Sequence, residues 1–368
     1  MYSSRTKNTE CTNSQNVRER DLFSIDLELT FHPQPLGFHL SDGAVHTYLV
    51  GDEYEDIAAA WDWNLIPGTT IDYGATPLDC SSTSQMGIEG FVGGVSDNAT
   101  GIAVMRFTNP TLNGFSWQKA WFFLEDNIQH VMISNISSTS GAPVYTVLDQ
   151  RLRKGQVVSG ECIQGTQGVE TLWHADVGYV FPDLGDNANL VVKVGRKTGN
   201  WSNIGTSSWP PNTVNLFTAW IEHTNVLAPI SYTVFPGASL HHFNQRSEKL
   251  RLENIQNDSS VSALFDHSSQ MLMIVFWEST GGNVTFTPKT SCAPITVSSM
   301  TSLTTIYRLE TGEVTVSDPS QTMANASVSI SLGQGLKPRH WGTGRNKTLS
   351  FQLPTDGRIG SSVTQTLD

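Results

Sequence analysis

Apolar and polar residues alternate with a period of two along most of the chain. The stretches "NLVVKVGRK", "HVMISNISS", "LMIVFWEST", "NVTFTPKT" and "SVSISLGQ" are short β-branched and aromatic runs bounded by Gly, Asn, Pro or Ser. That pattern predicts strands. The segment "TTIYRLETGEVTVSD" predicts a hairpin turning near Thr311 and Gly312. Only "EYEDIAAAW" has a helical look, over about two turns. The expected fold is all-β, built of layered antiparallel sheets. A polar stretch, "HHFNQRSEKLRLENIQNDSS", separates a long first portion from a shorter last one. It predicts a domain over 1–246 and a second over 247–368.

Length agrees with two domains, since 368 residues exceed what one core usually serves. Charged residues make up 15% of the chain and the net charge is -12. That balance argues against a general binder of nucleic acid or anionic membrane, which carries a basic excess. No apolar run approaches membrane-spanning length. Cys11, Cys80, Cys162 and Cys292 are scattered without metal-ligand spacing and allow up to two disulfides or none. Seven Asn-x-Ser/Thr sequons, at Asn98, Asn135, Asn200, Asn257, Asn283, Asn325 and Asn346, support a secretory history. The start "MYSSRTKNTE" has no apolar core and is not a signal peptide.

Several chemistries find no support. His241 and His242, read as neighbours on a strand, would point to opposite faces and not share a metal. "GASLHH" is not the GxSxG elbow of hydrolases. The glycines of "GFVGGVSDNATG" read as turns between strands, with no following helix to make a phosphate loop. No metal, cofactor or oligomer is expected. The tryptophans of "WDWNLIPGTT" are more suggestive. Trp61 and Trp63, two apart, would share one side of an extended segment and could form a platform for sugar rings. Large aromatics beside a Pro-Gly turn also serve as ordinary packing. Arg151, Arg153 and Lys154 in "RLRKG" offer a local positive patch for an acidic polysaccharide.

"WDWNLIPGTT" resembles the hallmark of the family 8 polysaccharide lyases, which act on hyaluronan, chondroitin and xanthan. The resemblance continues through "GFHLSDGAVHTYL", "GFVGGVSDNATGIAVMRF", "KAWFFLEDNIQHV", "VLDQRLRKG", "KVGRKTGNWSNIG", "ISYTVFPG" and "LENIQNDSSVSALFD" in family order. It implies three parts: an N-terminal α/α toroid, a central β super-sandwich and a C-terminal β-sandwich. This chain matches the last two, with the toroid missing. The implied reaction is β-elimination, in which a proton leaves C5 of a uronic acid and the glycosidic oxygen at C4 is expelled. The family's base tyrosine, with its histidine, asparagine and arginine, belongs to the toroid.

"SSRTKNTECTNSQN" resembles the strip that enters the central domain from the toroid. The resemblance places Glu10 and Asn13 in the cleft as supporting catalytic groups, with Arg5 and Asn16 as substrate contacts alongside Trp61 and Trp63. Met1 falls just upstream, as though an internal methionine had been taken for the start. Residues 17–34 interrupt the family pattern and are rich in charge. They read as a retained intron, since Val17-Arg18 can be written GTGAGA, Leu29-Thr30 can supply CTGAC and Gln34 can be CAG. The alternative is a surface insertion beside the cleft. The expected function is a secreted, monomeric polysaccharide lyase whose β portion, alone, lacks the base for elimination. A stand-alone carbohydrate-binding β-sandwich module is the competing reading.

Overall fold

The structure, a computed structural model, describes residues 35–79, 86–164, 167–182, 184–204, 208–289, 292–338 and 341–367. Its strands run in chain order as β1 (Thr70–Asp72), β2 (Val92–Ser96), β3 (Gly101–Thr108), β4 (Phe115–Leu124), β5 (Ile128–Ser138), β6 (Val144–Leu152), β7 (Val157–Gln164), β8 (Gln167–His174), β9 (Val177–Phe181), β10 (Ala188–Gly199), β11 (Asn212–His223) and β12 (Ile230–Pro236). After the helix α1 (Leu240–Lys249) come β13 (Leu252–Asn257), β14 (Val261–Asp266), β15 (Met271–Phe276), β16 (Gly282–Phe286), β17 (Ile295–Ser299), β18 (Leu303–Arg308), β19 (Glu313–Ser317), β20 (Asn325–Leu332), β21 (Asn346–Gln352) and β22 (Val363–Thr366).

These strands make four antiparallel sheets, ordered β1-β6-β11-β10, β2-β3-β4-β5-β12-β9-β8-β7, β13-β14-β15-β18-β19-β22 and β16-β17-β20-β21. They stack as four layers. Phe107, Trp117, Val131 and Tyr232 of the second sheet meet Leu148, Phe217 and Ile221 of the first. On its other side the second sheet presents Val104, Phe122 and Met132 to Leu264, Met273 and Ile306 of the third. The third sheet in turn packs Phe265, Ile274 and Phe276 against Val284, Val297 and Ile330 of the fourth. The fold is thus a large super-sandwich followed by a smaller C-terminal β-sandwich.

The stacking explains where alternation fails. In β14 and β15 every residue is buried, because both faces of the third sheet are covered. Alternation survives in the outermost sheet, where β20 buries every second residue. The β18–β19 hairpin is present as expected, with Thr304 opposite Ser317. Gly312 takes φ +77° at its turn.

Four expectations change. "EYEDIAAAW" forms turns and a single 3-10 turn, Ala58–Ala60, because Asp56 turns left-handed (φ 52°) and Trp61 is extended. A true helix lies instead in the polar stretch, over Leu240–Lys249. Ser239 caps it by accepting the N–H of His242 at 3.4 Å, and Phe243 and Ser247 are its buried face. His241 and His242 therefore sit on a helix and not on a strand. Gly93 and Gly94 lie within β2 and not in a turn. A Cβ on Gly93 would stand 2.9 Å from the Cα of Pro319, so the bare glycine permits contact between the two β units.

Three histidines are sealed among these layers and held neutral. His130 shares a hydrogen bond with Thr233 Oγ1 (2.8 Å), His223 with Thr146 Oγ1 (2.9 Å), and His174 Nε2 accepts the Lys154 N–H (3.1 Å). Burial pushes each down to about 4, aided at His174 by Arg151 and Arg153 and at His223 by Lys119. The unfolded chain takes up these protons nearer pH 6.5, ahead of the folded one. Stability from this source is complete above pH 6.5 and declines as pH falls toward 4. Urea midpoints are expected to drop steeply across that window, with a slope approaching three protons, and His223→Asn should remove about one of them. A midpoint that stays flat from pH 7 to 4.5 would count against this assignment.

Candidate functional site

Between Ala44 and Thr69 the chain forms no strand and straps the end of the first sheet. Its turns are fixed by named contacts. The Glu53 carboxylate accepts the N–H groups of Leu49 (2.8 Å), Val50 (2.7 Å) and Gly51 (2.9 Å). Burial alone would raise its pKa, but these N–H groups outweigh burial and hold it at about 2. Leu152 N–H donates to Glu53 O at 2.9 Å and ties the strap to β6. The Pro67-Gly68 turn is pinned by Val45 N–H on Pro67 O (2.7 Å) and by Gly68 N–H on Val147 O (2.9 Å). Gly68 is required there: its φ is +87° and a Cβ would lie 2.4 Å from Val45 N. Beneath it the buried Lys119 Nζ donates to Gly68 O (2.8 Å) and lies 4.8 Å from the Trp117 ring centre.

The strap gathers aromatic rings over a buried charge pair. A bulge in the β6–β11 pairing leaves Leu148 unpaired and sets Asp149 opposite Ala219. Asp149 and Arg151 thereby join the interior side, where they form an ion pair with both side chains buried. Tyr54 Oη donates to Asp149 Oδ1 (3.0 Å) and accepts the Thr47 N–H (3.2 Å). Its ring stands edge-on to His46 (4.9 Å). His46 in turn lies nearly parallel to Trp61 (6.0 Å, 23°) and to Tyr48 (6.4 Å, 28°). Burial lowers the His46 pKa, against the pull of Asp149. Tyr48 is exposed, whereas His46, Trp61 and Trp63 are half-buried.

Trp61 and Trp63 do meet, edge to face at 5.4 Å, although the segment is a turn and not a strand. Both indole N–H groups are used internally, on Gln150 O (3.2 Å) and Ala58 O (3.1 Å), so only their ring surfaces remain for a ligand. In "RLRKG" the expected positive patch of Arg151, Arg153 and Lys154 is reduced to Arg153. Arg151 is buried with Asp149, and Lys154 pairs with Asp52. Arg153 is exposed, and its N–H donates to Asn215 O (2.9 Å). Asn215 is opposite Arg196, also exposed, so Arg153, just past the end of β6, forms one row with Asn215 of β11 and Arg196 of β10.

The tip of the β10–β11 hairpin leans on the same strap. Asn212 Nδ2 donates to Asp56 O (2.8 Å), and Gly199 approaches Ala59 O so closely that a Cβ would overlap it. Trp209 stands there 64% exposed, edge-on to the buried Trp201 at 6.5 Å. His46, Tyr48, Arg196 and Trp209 escaped notice in the sequence. Two signals could have found them: "VHTYL" repeats the spacing of "WDW", and no Asp or Glu occurs from Ala188 to Ile221 while Lys193, Arg196 and Lys197 do. Arg5, Glu10, Asn13 and Asn16 lie outside the described residues, as do residues 17–34. Among the described residues no group of three or more His, Cys, Asp or Glu could hold a metal, and no helix is long and apolar enough to cross a membrane.

The chain is similar to chondroitinase-AC of Pedobacter heparinus, with 27% identity over 99% of this chain and 48% of that protein. It is also 28% identical to a xanthan lyase of a Bacillus species, over 98% of this chain and 38% of the relative. It therefore spans about half the length of the first and less of the second. A solved chondroitinase AC lyase, seen with oligosaccharides, superposes with a TM-score of 0.74 at 24% identity, covering 99% of this chain and 50% of that one. The chondroitin AC lyase of Streptomyces coelicolor A3 gives 0.69 at 22% identity, over 91% and 45%. These two show the shared fold. Residues 25–247 match the super-sandwich domain of polysaccharide lyase family 8, and residues 255–327 match its C-terminal β-sandwich domain. With the greater part of its length inside those two matches, the chain belongs to polysaccharide lyase family 8.

Proposed function

We propose that this polypeptide is the β portion of a lyase that cleaves uronic-acid polysaccharides such as hyaluronan, chondroitin or xanthan by β-elimination. The carrying observation is one surface that combines half-buried aromatic faces with exposed arginines. His46, Tyr48, Trp61 and Trp63 lie in ring contact, and Arg153 and Arg196 form a row on the adjoining sheet. Aromatic faces accept the apolar side of a pyranose ring, while guanidinium groups pair with uronate or sulfate in a forked geometry. Rigid support matters, because a turn braced by Glu53 and Lys119 loses little entropy when a sugar docks.

Elimination needs a base at the C5 proton and a donor at the leaving oxygen. Neither strap tyrosine suits that role: burial and Asp149 push the Tyr54 hydroxyl far up and it already donates to Asp149, while burial and Glu53 also raise Tyr48 above the ordinary phenol value. We assign proton transfer to groups beyond this polypeptide, with Glu10 and Asn13 as supporting residues at the cleft and Arg5 and Asn16 as substrate contacts. The sequons favour an extracellular setting, since Asn98, Asn135, Asn283, Asn325 and Asn346 are exposed.

The purified 368-residue chain is expected to bind chondroitin sulfate, hyaluronan or xanthan and to release no unsaturated uronic ends from any of them. Unsaturated product from this chain would contradict the division of labour. Failure to bind all three polymers would contradict the function itself.

A further inference from the structure

The fourth sheet differs in charge from the rest of the molecule. No Asp or Glu occurs from Ser279 to Leu309 or from Pro319 to Thr355, in a chain of net charge -12. Those stretches contain all of β16, β17, β20 and β21 with the β16–β17 and β20–β21 connections. The outward residues of the sheet are Ser, Thr and Asn with Gln352, linked across strands by Thr285–Thr296 (2.7 Å) and Ser329–Thr348 (2.9 Å) hydroxyl pairs. The cations sit together. Lys289 and Lys337 are exposed, Arg345 and Lys347 half-buried, and all four lie where β16 and β20 end and β17 and β21 begin.

The loops that carry them are braced against one another. Ala293 N–H donates to Leu336 O (2.9 Å), and Leu332 N–H to Arg345 O (2.8 Å). The Arg345 guanidinium donates to Gly333 O and to Gly335 O. Lys347 Nζ stands 5.8 Å from the ring centre of the buried Trp341. Among the described residues none of these four cations enters an ion pair, whereas Arg151, Lys154, Arg308 and Arg358 all do. The nearest acids in sequence, Glu278, Asp318 and Asp356, flank the opposite end of the sheet. An eight-residue strand separates the two ends by roughly 25 Å, well beyond a Debye length of about 8 Å in physiological salt. At the basic end Phe286 packs on Phe265 (4.9 Å), which places the acids of that end, Glu253, Asp266, Glu310 and Glu313, in the third sheet and its β18–β19 turn. That layer lies roughly 10 Å behind.

We propose that this hydroxyl-lined, acid-free sheet, with Lys289 and Lys337 exposed at its rim and Arg345 and Lys347 reaching its edge from the core-facing side, is a second binding surface for an acidic polysaccharide, remote from the aromatic strap. The proposal rests on the reading above that the protein handles such a polymer. A polyanionic chain is the fitting ligand, because unpaired cations attract its charges while the Ser, Thr and Asn face hydrogen-bonds its hydroxyls without like-charge repulsion. Two separate surfaces on one polymer would hold it by avidity between cleavage events.

The test uses the full chain and chondroitin sulfate. Trp61→Ala combined with Arg153→Gln and Arg196→Gln disables the strap, and this variant is expected to keep saturable binding. Adding Lys289→Gln and Lys337→Gln should weaken that remainder at least fivefold. If the strap variant loses all binding, or keeps binding that the two lysine changes weaken less than twofold, the second surface is overturned; loss of all binding in the strap variant leaves the strap reading standing. If the unaltered chain binds no uronate polymer, both are overturned.

Discussion

Replacing Asp149 with alanine is expected to destabilise the fold by about 3–5 kcal/mol, the usual cost of leaving a buried charge without its partner. Arg151 is 1% exposed, so water cannot replace the lost carboxylate. Tyr54 loses its acceptor in the same step, and the ring cluster above it loses its footing. The pair itself need not be a net source of stability, since taking two charges out of water opposes their attraction. Asp149→Leu with Arg151→Met should therefore recover most of the loss, while glycan binding through the strap stays impaired because Tyr54 is still unanchored. Denaturant melts of the three variants check this. An Asp149→Ala protein as stable as the parent would show that the pair is open to solvent.

Trp277→Ala should cost a similar amount, about 3–5 kcal/mol, by opening a cavity at the seam of the two β units. Trp277 is fully buried, packs on Phe91 at 5.4 Å and donates its indole N–H to Ser262 Oγ (2.9 Å). Arg106 of the super-sandwich also donates to its carbonyl oxygen. These contacts predict one cooperative transition for the native chain, because each unit covers a face of the other's sheet. The variant should split it in two, with the C-terminal sandwich and the super-sandwich melting apart. Calorimetry distinguishes the cases: two transitions in the parent would show that the seam does not couple the units, and a single one in the variant would show that Trp277 is not what couples them.

The strands of the outer layers were legible because one face meets water, so "SVSISLGQ" alternates as a half-buried strand should. The inner strands were found as apolar runs, yet their double burial was not, since "MLMIVF" reads the same whether one neighbour or two cover it. The helix Leu240–Lys249 was missed because its buried face amounts to Phe243 and Ser247, too little to impose a period. Phe243 counts only because Gly178, sixty-five positions earlier, leaves it room. At the strap, Trp61 and Trp63 stood out as a pair, while His46 and Tyr48 became their neighbours only through Glu53 and Tyr54. Arg151 and Arg153 look alike in sequence. The one-residue bulge at Leu148 turns Asp149, Arg151 and Arg153 to one face, and Arg153 stays exposed because it lies past the end of β6 at Leu152; local sequence announces neither the bulge nor the strand's end.

The most direct test of the account is calorimetric titration of the full chain with chondroitin sulfate, hyaluronan and xanthan, before and after Trp61→Ala. The account predicts saturable binding to at least one of these polymers and a loss of roughly tenfold in affinity for the variant, the effect of removing one aromatic face from a sugar contact. Undiminished binding after the substitution, with the fold intact by circular dichroism, would contradict the claim that the aromatic strap holds the polysaccharide.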